Sequence, residues 1–206
     1  MQDQPKITQA MIDAYDEYTH LTLDRRAFMN RLTRLAGSGA AAAAIAPLLA
    51  ANSARAAMVA DDDERLEAED ITYPGEGGEM KGYLVRPADA GEKLPAVIVV
   101  HENRGLNPHI RDVARRVALE GFVALAPDFL SPLGGTPEDE DKARGLFGEL
   151  DRDQTVGNAV ATQAFLAGHD ATTGKVGVIG FCWGGALVNN LAVADPELDA
   201  GVAYYG

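Results

Sequence analysis

The segment Gly180-Phe181-Cys182-Trp183-Gly184-Gly185 sets the chain's one cysteine between glycines, directly after the apolar run Lys175 to Ile179. A strand, a glycine-flanked nucleophile and a helix form the sharp turn called a nucleophile elbow, here the G-x-S-x-G pattern with cysteine in place of serine. Small flanking residues permit the bend, and a helix N-terminus favours both a thiolate and a developing oxyanion. The chemistry such a turn serves is covalent acyl transfer through sulfur. The competing reading is a buried structural cysteine in a strand-to-helix connection. A single cysteine excludes an intrachain disulfide, so the thiol is free in any compartment.

The elements that must position Cys182 follow from the hydrophobic pattern. Two short segments, Asp70 to Tyr73 and Met80 to Arg86, separated by Gly75, Gly77 and Gly78, read as an edge hairpin. Ala96 to Val100, Phe122 to Ala126 and Val176 to Ile179 are apolar without alternation, as strands of a parallel sheet covered on both faces are. Gly201 to Tyr205 reads as one more buried strand. Helices are expected over Ile110 to Glu120, Asp139 to Leu150, Gln154 to Ala167 and Ala186 to Ala194, each ending at or near a Gly or Pro. Pro132 to Asp139 is a loop on the carboxyl side of the sheet, where open α/β folds bind ligands.

Three segments meet at that carboxyl edge: His101-Glu102-Asn103-Arg104-Gly105, Pro127-Asp128-Phe129 and the Cys182 elbow. Together with the closing Gly201-Val202-Ala203-Tyr204-Tyr205-Gly206, they resemble the dienelactone hydrolase family over roughly residues 69 to 206. The resemblance implies an α/β-hydrolase fold, a mostly parallel central sheet with helices on both faces, and the opening of small esters or lactones by a cysteine nucleophile. It implies Cys182 as that nucleophile and the backbone N–H groups of Asn103 and Trp183 as the oxyanion hole. It also implies that Glu102 holds the resting thiol until substrate displaces it; the alternative for Glu102 is capping or orienting its loop. His101 precedes the oxyanion loop directly and is assigned to structuring it.

Substrate recognition follows the family only in part. Phe147 stands where the family carries an aromatic, whereas Glu140 replaces its substrate-carboxylate arginine, with Lys142 and Arg144 nearby. Those two cations could receive an anionic substrate, or pair with acids on a solvated helix face. His109 and His169 lie in or near loops and helix ends. No His-x-x-x-His or Cys-x-x-Cys spacing suggests a metal, and no cofactor is expected.

No histidine follows Cys182, and Asp195 and Asp199 both precede the Gly201 to Tyr205 strand. In α/β-hydrolases the acid and then the histidine come after the nucleophile along the chain. The expectation is therefore a hydrolase truncated at its C-terminus, its last strands and acid–histidine pair missing, with Gly201 to Tyr205 left as an apolar sheet edge. The alternative is a catalytically inactive binding remnant of the same fold; a thiol redox protein lacks a resolving cysteine.

Residues 1–57 differ from the rest. Arg25-Arg26-Ala27-Phe28-Met29 leads through Arg31 and Arg34 into the apolar segment Ala40 to Ala51, and Ala54-Arg55-Ala56 offers a small-x-small cleavage site. The layout resembles a twin-arginine export signal. It implies the twin-arginine machinery as a partner and a periplasmic destination, or a cytoplasmic one if the signal is not used. The rival is an anchoring helix, but the apolar segment is shorter than the roughly 20 residues a span requires. Asp61 to Asp70 reads as a solvated acidic lead-in, placing the hydrolase domain at 69–206 after a lead-in over 58–68. The net charge of -13 over 206 residues speaks against nucleic acid as a partner.

Overall fold

The computed structural model describes residues 7–19, 23–55 and 58–206. The chain divides into two units, Met1–Ala57 and Met58–Gly206. The first contains the helices α1 (Gln9–Thr19), α2 (Arg25–Ala36) and α3 (Gly39–Arg55). Asp24 caps α2 by accepting the Ala27 N–H, and Gly37 ends it in the left-handed conformation at φ 80. Phe28 and Leu32 are buried against Met11, Tyr15, Ile45 and Leu49, and the Phe28 ring stacks on Tyr18 with centroids 4.7 Å apart. Among the described residues, no single helix is long and apolar enough to cross a membrane. His20, which the sequence places in the export signal, and Ala56 of the small-x-small site lie outside the described residues.

The second unit is built on six strands: β1 (Leu66–Gly75), β2 (Gly78–Pro87), β3 (Leu94–Val100), β4 (Val123–Asp128), β5 (Thr172–Phe181) and β6 (Ala200–Tyr204). Their order across the sheet is β1-β2-β4-β3-β5-β6. The β1–β2 and β2–β4 pairs are antiparallel; β3–β4, β3–β5 and β5–β6 are parallel. Gly75 faces Gly78 across a two-residue turn in which Gly77 takes φ 79, the left-handed conformation that glycine adopts without steric cost. Only β1 of this hairpin is an edge, because β2 continues the sheet into β4.

The non-alternating apolar strands have their reason in the two layers that cover them. On one face, α4 (Pro108–Leu119) packs Ile110, Ala114 and Ala118 against Tyr83, Val85, Val99 and Ala124. On the other, α6 (Arg152–Ala167) and α7 (Trp183–Ala194) press Leu166, Leu187 and Leu191 onto a core that includes Ile98, Val100, Leu125 and Val178. Alternate residues of β3 thus enter different cores, and both sets must be apolar.

Three expectations are corrected. The helix expected over Asp139 to Leu150 is short: α5 runs Glu140–Leu146, and the chain then turns, with the Gly148 N–H donating to the Gly145 carbonyl at 3.2 Å. Gly145 and Gly148 weaken the helix where leucine and phenylalanine spacing favours it. The lead-in is not simply solvated: β1 begins at Leu66, Val59 is buried, and Asp61 pairs with Arg115 at 2.6 Å. The strand over Gly201 to Tyr205 exists as β6 but is exposed along its length, with no partner on its second edge among the described residues.

Candidate active site

The strand β5 delivers Cys182 at its carboxyl end and α7 begins with the next residue, so Cys182 is itself the helix N-cap. Its backbone sits at φ 54, ψ -117, a region that favours glycine and marks a strained turn. Main-chain bonds hold it there: the Cys182 N–H donates to the Tyr204 carbonyl at 3.0 Å, and the Ala186 N–H to the Cys182 carbonyl at 3.2 Å. The glycines of the motif are explained by close approach. A Cβ on Gly180 would run into the Gly184 carbonyl; one on Gly184 would lie 2.5 Å from the His101 carbonyl, and one on Gly185 2.7 Å from that of Tyr204. The Cys182 side chain is half-buried.

Trp183 occupies the first position of α7, where amide groups have no intrahelical acceptor. Asn103 is buried in the loop after β3, and its side-chain carbonyl has no hydrogen-bond partner among the described residues. That loop is pinned from the next strand. Asp128, at the end of β4, accepts the Thr136 N–H at 2.7 Å and the Thr136 hydroxyl at 2.8 Å. The Thr136 oxygen in turn accepts the Leu106 N–H at 2.9 Å. The sequence marks Asp128 as a strand-end carboxylate at the carboxyl edge, whereas Thr136 is indistinguishable there from ordinary loop polarity.

His101 is fully buried. Its Nε2 accepts the Phe129 N–H at 3.1 Å, which leaves Nδ1–H to donate to the Glu102 carbonyl at 2.7 Å. Both ring nitrogens are therefore used, and burial holds the imidazole pKa below its ordinary value, opposed by the Glu102 carbonyl and the Asp128 charge. The ring stacks on Trp183, centroids 5.6 Å apart at 12°. The loop-structuring role expected for His101 matches these contacts. His109 is exposed, and His169 accepts the Ala171 N–H at 3.2 Å as a local cap.

Glu102 accepts a hydrogen bond from the Tyr205 hydroxyl at 2.9 Å, a partner that sequence reasoning missed because 103 residues separate the two. Burial, and then the Glu102 and Cys182 charges, push the Tyr205 phenol pKa up, which keeps the hydroxyl a donor. Phe147 closes the end of α5 and lies edge-on to Trp183 at 4.8 Å and to His101 at 5.6 Å. Beside Trp183 a cavity of about 190 Å³ opens, bounded by Phe147, Leu150, Val156 and Leu187. Cys182 is not among its lining residues. Lys142 is exposed on α5 and Arg144 half-buried. Glu140 forms an ion pair with the buried guanidinium of Arg104, a use the sequence did not reveal. Among the described residues no cluster of His, Cys, Asp and Glu is arranged to hold a metal ion.

Comparison with known proteins places this geometry. A model described as the dienelactone hydrolase family matches residues 80–206. A protein of Escherichia coli (strain K12) named "Putative hydrolase fragment YghX" is 54% identical over 112 residues, covering 53% of this chain and 96% of that one. A "Putative carboxymethylenebutenolidase" of Salmonella typhi is 36% identical over 154 residues, covering 72% of this chain and 56% of the relative. Among solved structures, a protein from Klebsiella pneumoniae titled a "Putative Dienelactone Hydrolase" superimposes with TM-score 0.62 at 32% identity, over 68% of this chain and 60% of that one. The chain thus spans little more than half the length of the carboxymethylenebutenolidase relative.

Proposed function

The chain belongs to the dienelactone hydrolase family, and from that membership we propose that it is a hydrolase of small esters or lactones acting through Cys182. The Cys182 thiolate attacks the acyl carbon and a tetrahedral oxyanion forms. The C–O bond to the leaving alkoxide then breaks, giving a thioester that water hydrolyses. The observation that carries this reading is the Cys182 elbow, strained at φ 54 between close-packed glycines and followed at once by the α7 N-terminus. The N–H groups of Trp183 and Asn103 are assigned to the oxyanion, where losing one such donor costs about 100- to 1000-fold in rate. Glu102 is assigned to holding the thiol at rest, with the Tyr205 hydroxyl donating to its carboxylate. Phe147 is assigned to the acyl or leaving group, and Lys142 and Arg144 to an anionic one.

Proton transfer is the incomplete part. The thiol proton must leave and the alkoxide must gain one, yet both His101 nitrogens are committed and no histidine follows Cys182. Full turnover therefore requires an acid and a histidine that residues 1–206 do not supply at the elbow. A test uses p-nitrophenyl acetate: the chain should release a burst of nitrophenolate equal to its own concentration and then nearly stop, and Cys182→Ala should give no burst. Saturable binding with no acylation would favour the inactive binding remnant instead.

The same proposal includes export by the twin-arginine route to the periplasm. Its support is the Arg25-Arg26 pair, the apolar segment behind it and the boundary of the folded units at Ala57. Replacing Arg25 and Arg26 together with lysine should leave the protein in the cytoplasmic fraction; unchanged periplasmic recovery would exclude this route.

A further inference from the structure

The residues directly after Ala57 are held by a buried charged pair that the reaction does not use. Asp112 and Arg115, one turn apart on α4, are each buried to within a few per cent of full coverage. Between them they grip the main chain of Val59: its N–H donates to Asp112 Oδ1 at 2.9 Å, and its carbonyl accepts from Arg115 Nε at 3.0 Å. Arg115 also donates to the Tyr83 hydroxyl at 3.3 Å and pairs with Asp61 at 2.6 Å. Val59 is 5% exposed, whereas the preceding Met58 is 74% exposed. Charged side chains are buried this deeply only when paired and hydrogen-bonded, and here the partner is the backbone of the segment that follows the first unit. An extended strap is recognised by its peptide group, so residues 59–61 belong to the hydrolase domain rather than to a linker.

We infer that this clamp sets the limit of proteolytic processing, so that the mature chain begins no later than Met58. In its processing part, this inference rests on the proposed export. Cleavage at the small-x-small site ending at Ala56 leaves the clamp whole. Cleavage after Val59 withdraws a donor from Asp112 and an acceptor from Arg115 while both stay buried, and cleavage after Asp61 withdraws a second acceptor from Arg115, which the folded domain resists. Peptide bonds of the strap thus enter a protease only when the clamp opens.

Two measurements separate the parts. Intact mass of protein recovered from the periplasm should give a first residue at or before Met58; a first residue at Val59 or later overturns the inference, and no periplasmic protein at all counts against export alone. Native-state digestion of the full chain with a broad-specificity protease tests the clamp whether or not export occurs. The resistant core should begin at or before Met58. In Val59→Pro, which deletes the gripped N–H, loss of residues 58–61 should be about ten-fold faster, as expected for one lost buried hydrogen bond. Arg115→Gln should show the same acceleration should the proline variant fold poorly. A wild-type core beginning after Met58, or digestion rates equal in all three proteins, would overturn the clamp.

Discussion

At Cys182 the backbone accepts a conformation that costs a non-glycine residue about 1–3 kcal/mol, and the sulfur gains a position at the mouth of α7 in return. Comparing Cys182→Gly with Cys182→Ala isolates that strain. Chemical denaturation should find the glycine variant more stable by about 1 kcal/mol, although both lack the Cys182 thiol; the reverse order would mean the turn is relaxed. His101 makes a second prediction at this scale. Its folded pKa is lowered by burial, so its contribution is complete above the unfolded value of about 6.5 and is lost as the pH falls from there toward the folded value. Stability should therefore decline below about pH 6.5, and His101→Leu should flatten that decline. The leucine variant should also lose about 1–3 kcal/mol at neutral pH, because the Phe129 N–H loses its acceptor. The elbow was legible in the sequence because six adjacent residues encode it. Tyr205 and Thr136 were not: Tyr205 lies 103 residues from Glu102, Thr136 meets Asp128 only because the loop after β4 folds back on the strand end, and a lone hydroxyl carries no pattern.

Among the elements, β3, β4 and β5 could be read because burial on both faces demands apolar runs, and helix ends because Gly and Pro mark them. The end of α5 was misread: Leu146, Phe147 and Leu150 keep helical spacing, but Phe147 turns instead toward Trp183 and His101. What ties α5 to the loop after β3 is the Arg104–Glu140 pair. Glu140→Ala leaves a buried guanidinium short of a partner and should cost about 1–3 kcal/mol, the low side for a buried pair because Glu140 is partly exposed. Thermal melts of this variant against Glu138→Ala, on an exposed neighbour, give the comparison; equal losses would show that the pair does not anchor the helix. The crossing of α7 over β3 gives another prediction. Gly184→Ala puts a methyl 2.5 Å from the His101 carbonyl and should destabilise by about 1–3 kcal/mol while suppressing acylation; a variant as stable and reactive as the parent would refute the close approach.

For the whole molecule, the strand order β1-β2-β4-β3-β5-β6 brings the loops after β3, β4 and β5 to one end of the sheet, which is why segments far apart in sequence meet at Cys182. The β6 side remains open, with Val202 and Tyr204 exposed on an unpaired edge among the described residues. Such an edge promotes association, so light scattering at rising concentration should grow for the parent and fall for Val202→Lys with little change in melting temperature. The membership of this chain in a hydrolase family rests on its fold and sequence, whereas the chemistry proposed for it rests on one sulfur. The most direct test is intact-protein mass spectrometry after brief exposure to p-nitrophenyl acetate, followed by peptide mapping. The account predicts one acetyl group per chain, carried on Cys182 and absent from Cys182→Ala. Acetylation of equal extent in Cys182→Ala, or steady ester turnover by that variant, would contradict it.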